Sequence, residues 1–164
     1  MSSKKHVKTA EKLLETYRKK KMTLATAESC TGGLLSMLLT EVAGSSDVFE
    51  RGFVTYSNAS KTEMLGVDSN LIKQHGAVSA EVAQAMAKGA ISHSRADVAV
   101  AITGVAGPAK SEKKAVGLVY IAFATRTYQE VVVLKQRYKG GRSSVRAQSV
   151  GKAMTSLKKL AALL

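Results

Sequence analysis

Val7, Ala10, Leu14 and Tyr17 recur at helical spacing among lysines, which predicts a helix over residues 4–20 with one apolar face. Residues 23–27 form a short β-prone piece. The turn Thr31-Gly32-Gly33 then opens an apolar helix, 34–40, and 43–46 read as a loop. Residues 49–56 predict a strand, followed by a short helix around 60–65 and another after Asp68, which can act as its N-cap. Ser79 caps the next helix, with Val82, Met86 and Ala90 as its buried stripe. The continuous apolar run 97–103 (DVAVAIT) is the pattern of a central strand covered on both faces. Two further strands are expected at 117–125 and 128–135. Gly140-Gly141 breaks the chain, and Ser143 or Ser144 caps a last helix with Val150, Met154, Leu157, Ala161 and Leu164 on its apolar face.

Strands separated by helices imply parallel pairing, and the two consecutive strands near the end imply an antiparallel member. The expected fold is α/β, a three-layer α/β/α sandwich with a mixed, mostly parallel sheet. With 164 residues, 45% apolar and 23% charged, the chain has the size and composition of one soluble domain, residues 1–164. No apolar run approaches the ~18 residues of a membrane span. The first residues carry no apolar segment of a secretory signal. The single cysteine, Cys30, fits a reducing cytoplasm, the expected location. His6, His75 and His93 have no metal-ligand spacing, so no metal site is expected.

Charge changes this picture through its distribution. The net +13 comes from the ends: residues 1–21 hold eight basic and two acidic residues, and residues 135–164 hold eight basic and none acidic. A nucleic-acid surface is one reading. Aromatics are not interleaved with the basic residues as a stacking platform requires, which favours two solvated helix faces instead.

Four segments at predicted strand ends are richer in small polar residues than packing requires: 28–33 (ESCTGG), 56–61 (YSNASK), 103–108 (TGVAGP) and 140–142 (GGR). Ligands of α/β sheets bind outside strand ends. Ser29, near a helix N-terminus, suits a nucleophile whose attack makes an oxyanion, and the Gly32 and Gly33 N–H groups can approach closely. The bland alternative is a capped tight turn. A serine needs a base. No histidine lies in such a loop, which leaves Lys61, early in a helix, where the dipole and burial would lower its pKa; otherwise it is a solvent-facing lysine. Tyr56 could orient the amine. Thr103 offers a hydroxyl, and Arg142, with Arg146 one turn on, could grip a carboxylate or phosphate by its planar fork. Cys30 competes with Ser29, since a helix N-terminus would lower a thiol pKa; the absence of a paired histidine speaks for the serine.

These segments carry a resemblance. Residues 26–33 (TAESCTGG), 43–61 (AGSSDVFERGFVTYSNASK), 75–79 (HGAVS), 103–108 (TGVAGP), 116–117 and 140–142 occur in order over nearly the whole chain, and the sequence resembles the nicotinamide-nucleotide amidohydrolase family, also known as the C-terminal domain of CinA, with stand-alone members called PncC. The resemblance implies a three-layer fold, metal-independent and cofactor-free hydrolysis of the carboxamide of nicotinamide mononucleotide, a Ser–Lys site and a homo-oligomer. Ser29 and Lys61 match the catalytic positions it implies, and Tyr56, Thr103 and an arginine of the Gly-Arg turn match supporting and substrate-contacting ones. Together with the loops read above, the expected catalytic set is Ser29, Lys61 and Tyr56, and the expected substrate-binding set is Thr31, Gly32, Gly33, Asn58, Thr103, Gly104, Arg142 and Arg146. The chain looks like a stand-alone deamidase, without the larger N-terminal domain of CinA. It departs from the family at Ala115 and Gly141, where proline and aspartate are usual, and lacks the glycine pair after Pro108. The alternative function is a non-catalytic nucleotide or nucleic-acid binding module using the basic ends.

Overall fold

The computed structural model describes residues 3–164. The chain runs α1 (Lys4–Lys19), β1 (Leu24–Glu28), α2 (Leu34–Thr40), a 3-10 turn (Ser45–Asp47), β2 (Phe49–Val54), α3 (Asn58–Leu65), α4 (Ser69–His75), α5 (Ala80–Ser92), β3 (Val98–Gly104), β4 (Leu118–Thr125), β5 (Val132–Arg137) and α6 (Arg142–Ala161). The sheet order is β2-β1-β3-β4-β5. β1 pairs in parallel with β2 and β3, whereas β4 is antiparallel to both β3 and β5. Four strands therefore point one way and only β4 the other, although the ladders divide evenly between the two kinds.

Residue size alternates along β3 with the pleat. Val98, Val100 and Ile102 face a core shared with Leu13 and Leu14 of α1, Leu35 of α2 and Leu157 of α6. Ala99 and Ala101 face the other way, against Val82 and Met86 of α5, with Ala25, Ala27, Ala122 and Ala124 of neighbouring strands beside them. An alanine-paved face lets α5 lie close to the sheet. Tyr17 locks α1 to α6 by donating its hydroxyl to the Leu157 carbonyl (3.1 Å). The two basic helices, α1 and α6, thus occupy one layer.

Caps account for the helix starts. Ser3, Ser57, Asp68 and Ser79 each accept a backbone N–H with their side chains. Several sequence expectations need correction: β2 ends at Val54 rather than at residue 56, and α6 ends at Ala161, which leaves Leu164, expected on its apolar face, exposed beyond the helix. Gly141, not Ser143 or Ser144, precedes α6, and Ser144 turns its hydroxyl back toward the Lys139 carbonyl. β5 begins at Val132, because the Tyr128 N–H is held by the Thr125 hydroxyl in a turn. α3 begins at Asn58 rather than Ser60, which places Asn58 and Lys61 one turn apart on the same helix face.

Where α5 crosses the end of α3, a Cβ at Gly89 would collide with the Leu65 carbonyl. Helix propensity alone would make Gly89→Ala stabilising by up to ~1 kcal/mol. Overpacking reverses the sign, and a loss of about 1–3 kcal/mol is expected in chemical denaturation; a gain would contradict this close approach.

Candidate active site

The carboxyl ends of β2, β1 and β3 lie side by side, and the segments leaving them meet around a cavity of about 240 Å³. Ser29 follows the last residue of β1, its N–H donating to the Ile102 carbonyl of β3 (2.9 Å). Lys61 comes from α3, just beyond the end of β2, and is 1% exposed. Its Nζ lies 3.0 Å from Ser29 Oγ, 2.8 Å from the Thr55 carbonyl and 3.5 Å from the Ser57 carbonyl. Among the described residues no carboxylate lies within ion-pair distance of it. Burial without a counter-ion lowers the Lys61 pKa from the ordinary lysine value. A neutral amine fits its neighbours: two N–H groups for two carbonyls and a lone pair for the Ser29 hydroxyl.

The structure corrects the expected anion site at the start of α2. The fully buried Glu28 carboxylate is there already, accepting from the Leu35 N–H (2.8 Å), the Ser36 N–H (3.0 Å) and the Ser36 hydroxyl (2.7 Å). Gly32 donates its N–H to the Ser29 carbonyl, and Gly32 and Gly33 adopt left-handed φ values of 54° and 96° that close this turn. Thr31, Gly32 and Gly33 shape the loop without lining the cavity, and Arg146 sits outside with them, donating to the Thr31 carbonyl (2.9 Å).

Asn58, Thr103, Gly104, Tyr56 and Arg142 all line the cavity, in modified roles. The Thr103 hydroxyl donates to the Ala77 carbonyl (2.8 Å). Tyr56, expected to orient the amine, is 60% exposed at the rim, and backbone carbonyls hold Lys61 instead. Arg142 bridges the mouth, donating to the Tyr56 hydroxyl and the Gly107 carbonyl, each at 2.7 Å. Glu28, Ala77 and Val78 lie within the segments 28–33 and 75–79 singled out in the sequence but are given no role there; Glu112 is missed altogether, and nothing in its local sequence marks it.

The CinA C-terminal domain model matches residues 6–161. The chain belongs to the CinA C-terminal domain family. Among its relatives is the nicotinamide-nucleotide amidohydrolase PncC of Escherichia coli, 46% identical over 149 residues, covering 90% of this chain and 90% of PncC. A CinA-like protein of Syntrophobacter fumaroxidans is 49% identical over 144 residues, 87% of this chain, but the match spans only 34% of that longer protein. The chain likewise spans about a third of its relative in Caldicellulosiruptor bescii (36%). Among solved structures, the competence/damage inducible protein CihA of Agrobacterium tumefaciens superposes with a TM-score of 0.93 at 42% identity, covering 98% of both chains. A CinA superfamily protein of Klebsiella pneumoniae gives 0.93 at 31% identity, over 97% of this chain and 99% of the other. The family fold expected from the sequence is therefore present.

Cys30, beside Ser29, was expected to have a lowered thiol pKa. Burial outweighs the other influences and pushes it up to about 12. Iodoacetamide should therefore label native Cys30 far more slowly than the unfolded chain, and Cys30→Ala should retain turnover within a few-fold. Rapid labelling that tracks loss of activity would make the thiol the reactive group.

Proposed function

We propose that this protein is a nicotinamide mononucleotide amidohydrolase that works through a Ser29–Lys61 pair without a metal. The observation that carries the reading is the Lys61 amine, buried without a counter-ion 3.0 Å from the Ser29 hydroxyl in a cavity at the strand ends. The PncC relationship supplies the substrate class.

In this reading Ser29 Oγ attacks the carboxamide carbon while its proton passes to the Lys61 lone pair. The tetrahedral oxyanion is held by backbone N–H groups bordering the cavity, those of Cys30 and of the Ala106–Gly107 turn, since the α2 terminus is occupied by Glu28. The Lys61 ammonium returns its proton to the leaving nitrogen, ammonia departs, and a nicotinoyl ester remains on Ser29. Water attacks that ester, with Lys61 accepting its proton; as the acyl C–O bond breaks, Lys61 returns the proton to Ser29 Oγ and nicotinate mononucleotide is released. Arg142 at the mouth faces the phosphate with the fork edges that Tyr56 and Gly107 leave free.

Ser29→Ala and Lys61→Met should each lower ammonia release by at least about a thousandfold, because the two act as one unit. Arg142→Ala should erase the preference for nucleotide over riboside, roughly tenfold to a hundredfold for a charge-assisted contact, whereas Arg146→Ala should preserve it. Turnover that survives Ser29→Ala in folded protein would end the serine mechanism.

A further inference from the structure

Ala77 and Val78 lie between α4 and α5 and form one wall of the cavity. Loop peptide groups without a ladder need other partners, and here side chains from elsewhere supply all of them. The Ala77 and Val78 N–H groups donate to the two oxygens of Glu112, at 2.8 and 3.2 Å. The Ala77 carbonyl accepts from Thr103, and the Val78 carbonyl accepts from Lys114 Nζ, which also donates to the His75 carbonyl (2.9 Å). Gly76 is part of the device: its φ is +79°, and a Cβ there would collide with the Glu112 carboxylate.

The donating segment is held in an unfavourable backbone to do this. Ser111 and Lys114 close a two-residue turn whose central residues, Glu112 and Lys113, have φ of 52° and 60°. Glycine and asparagine suit such a turn; side-chain-bearing residues of other kinds pay strain there. Left-handed non-glycine residues persist where surrounding contacts over-determine them, and they gather at ligand sites. The contacts here are the Glu112 and Lys114 bonds to the cavity wall.

We propose that Glu112 and Lys114 are positioning residues for the substrate's ring, acting through the Ala77–Val78 wall. This rests on the deamidase reading above. A flat pyridine ring presenting its amide to Ser29 needs a fixed surface beside it, and these two peptide units provide one whose every polar group is already satisfied by the protein. The wall therefore offers the ring an apolar surface at a set distance from the nucleophile. Removing the clamp lets the wall move and weakens binding of substrate in its ground and transition states alike, which raises KM and leaves kcat nearly unchanged.

The test measures ammonia release from nicotinamide mononucleotide by wild type, Glu112→Ala, Glu112→Gln and Lys114→Met, with hydrogen–deuterium exchange at the Ala77 and Val78 amides. KM should rise about tenfold or more in Glu112→Ala and Lys114→Met and less in Glu112→Gln, with kcat within a few-fold. Exchange at both amides should quicken in every variant, while in Lys114→Met acylation of Ser29 by p-nitrophenyl acetate, too small to use the wall, should hold its rate. If Glu112→Ala does not fold, Glu112→Gln and Lys114→Met carry the same comparison. An unchanged KM, or a kcat that falls only with the folded fraction, overturns the positioning role and leaves the deamidase reading standing. Wild-type protein that releases no ammonia overturns the deamidase reading first, and this role with it.

Discussion

A lysine amine buried against a serine hydroxyl, with no carboxylate within ion-pair distance among the described residues, is the constraint on which the rest of the structure turns. Taking an ammonium out of water is costly, so the folded chain favours the neutral amine and the unfolded chain binds the extra proton. The sign follows: stability rises with pH from the lowered folded-state pKa of Lys61 up to its ordinary unfolded value, and the full penalty applies below that window. The same neighbours serve both protonation states. In the proposed mechanism the resting amine gives two N–H groups to the Thr55 and Ser57 carbonyls, and its lone pair faces the Ser29 hydroxyl 3.0 Å away. In that proposal the transferred proton becomes a third N–H facing the reacting atoms, from which the leaving group takes it.

The architecture delivers Ser29 from the end of β1 and Lys61 from α3, just beyond β2, and fixes both by backbone bonds. Ser29 is tied to Ile102 of β3, and Thr55, whose carbonyl holds Lys61, donates its own N–H to the Glu28 carbonyl of β1. Glu28 then does a second job with its side chain, binding the start of α2. The strand that precedes Ser29, the carbonyl that holds Lys61 and the helix that follows the serine are thereby one hydrogen-bonded unit. On the opposite side of the cavity the β3–β4 connection contributes the Glu112 and Lys114 contacts, and α6 brings Arg142 over the mouth.

Much of this was legible in the sequence because burial and periodicity write themselves into residue type. The order of helices and strands, the doubly covered β3 and the caps at Asp68 and Ser79 follow from local pattern. Ser29 and Lys61 could be paired by exclusion, since no histidine was placed to serve as base. What stayed hidden depends on long-range geometry. Nothing local says that Glu28 fills the helix terminus expected to hold an oxyanion, or that a solvent-like SEKK segment folds back so that Glu112 grips a loop more than thirty residues earlier. For Cys30 the sequence left a reactive and a small buried side chain both open and favoured the serine; burial, visible only in three dimensions, raises the thiol pKa and agrees with that choice.

The ionisation state of Lys61 tests the central claim most directly. Nitrogen-15 NMR of the lysine Nζ resonances, assigned by comparison with Lys61→Met, follows this one amine through a pH titration. The account requires Lys61 to titrate clearly below the exposed lysines and to be a neutral amine in a pH range where they are still charged. A Lys61 that titrates together with the surface lysines would be an ordinary ammonium at working pH, and it could not take the Ser29 proton.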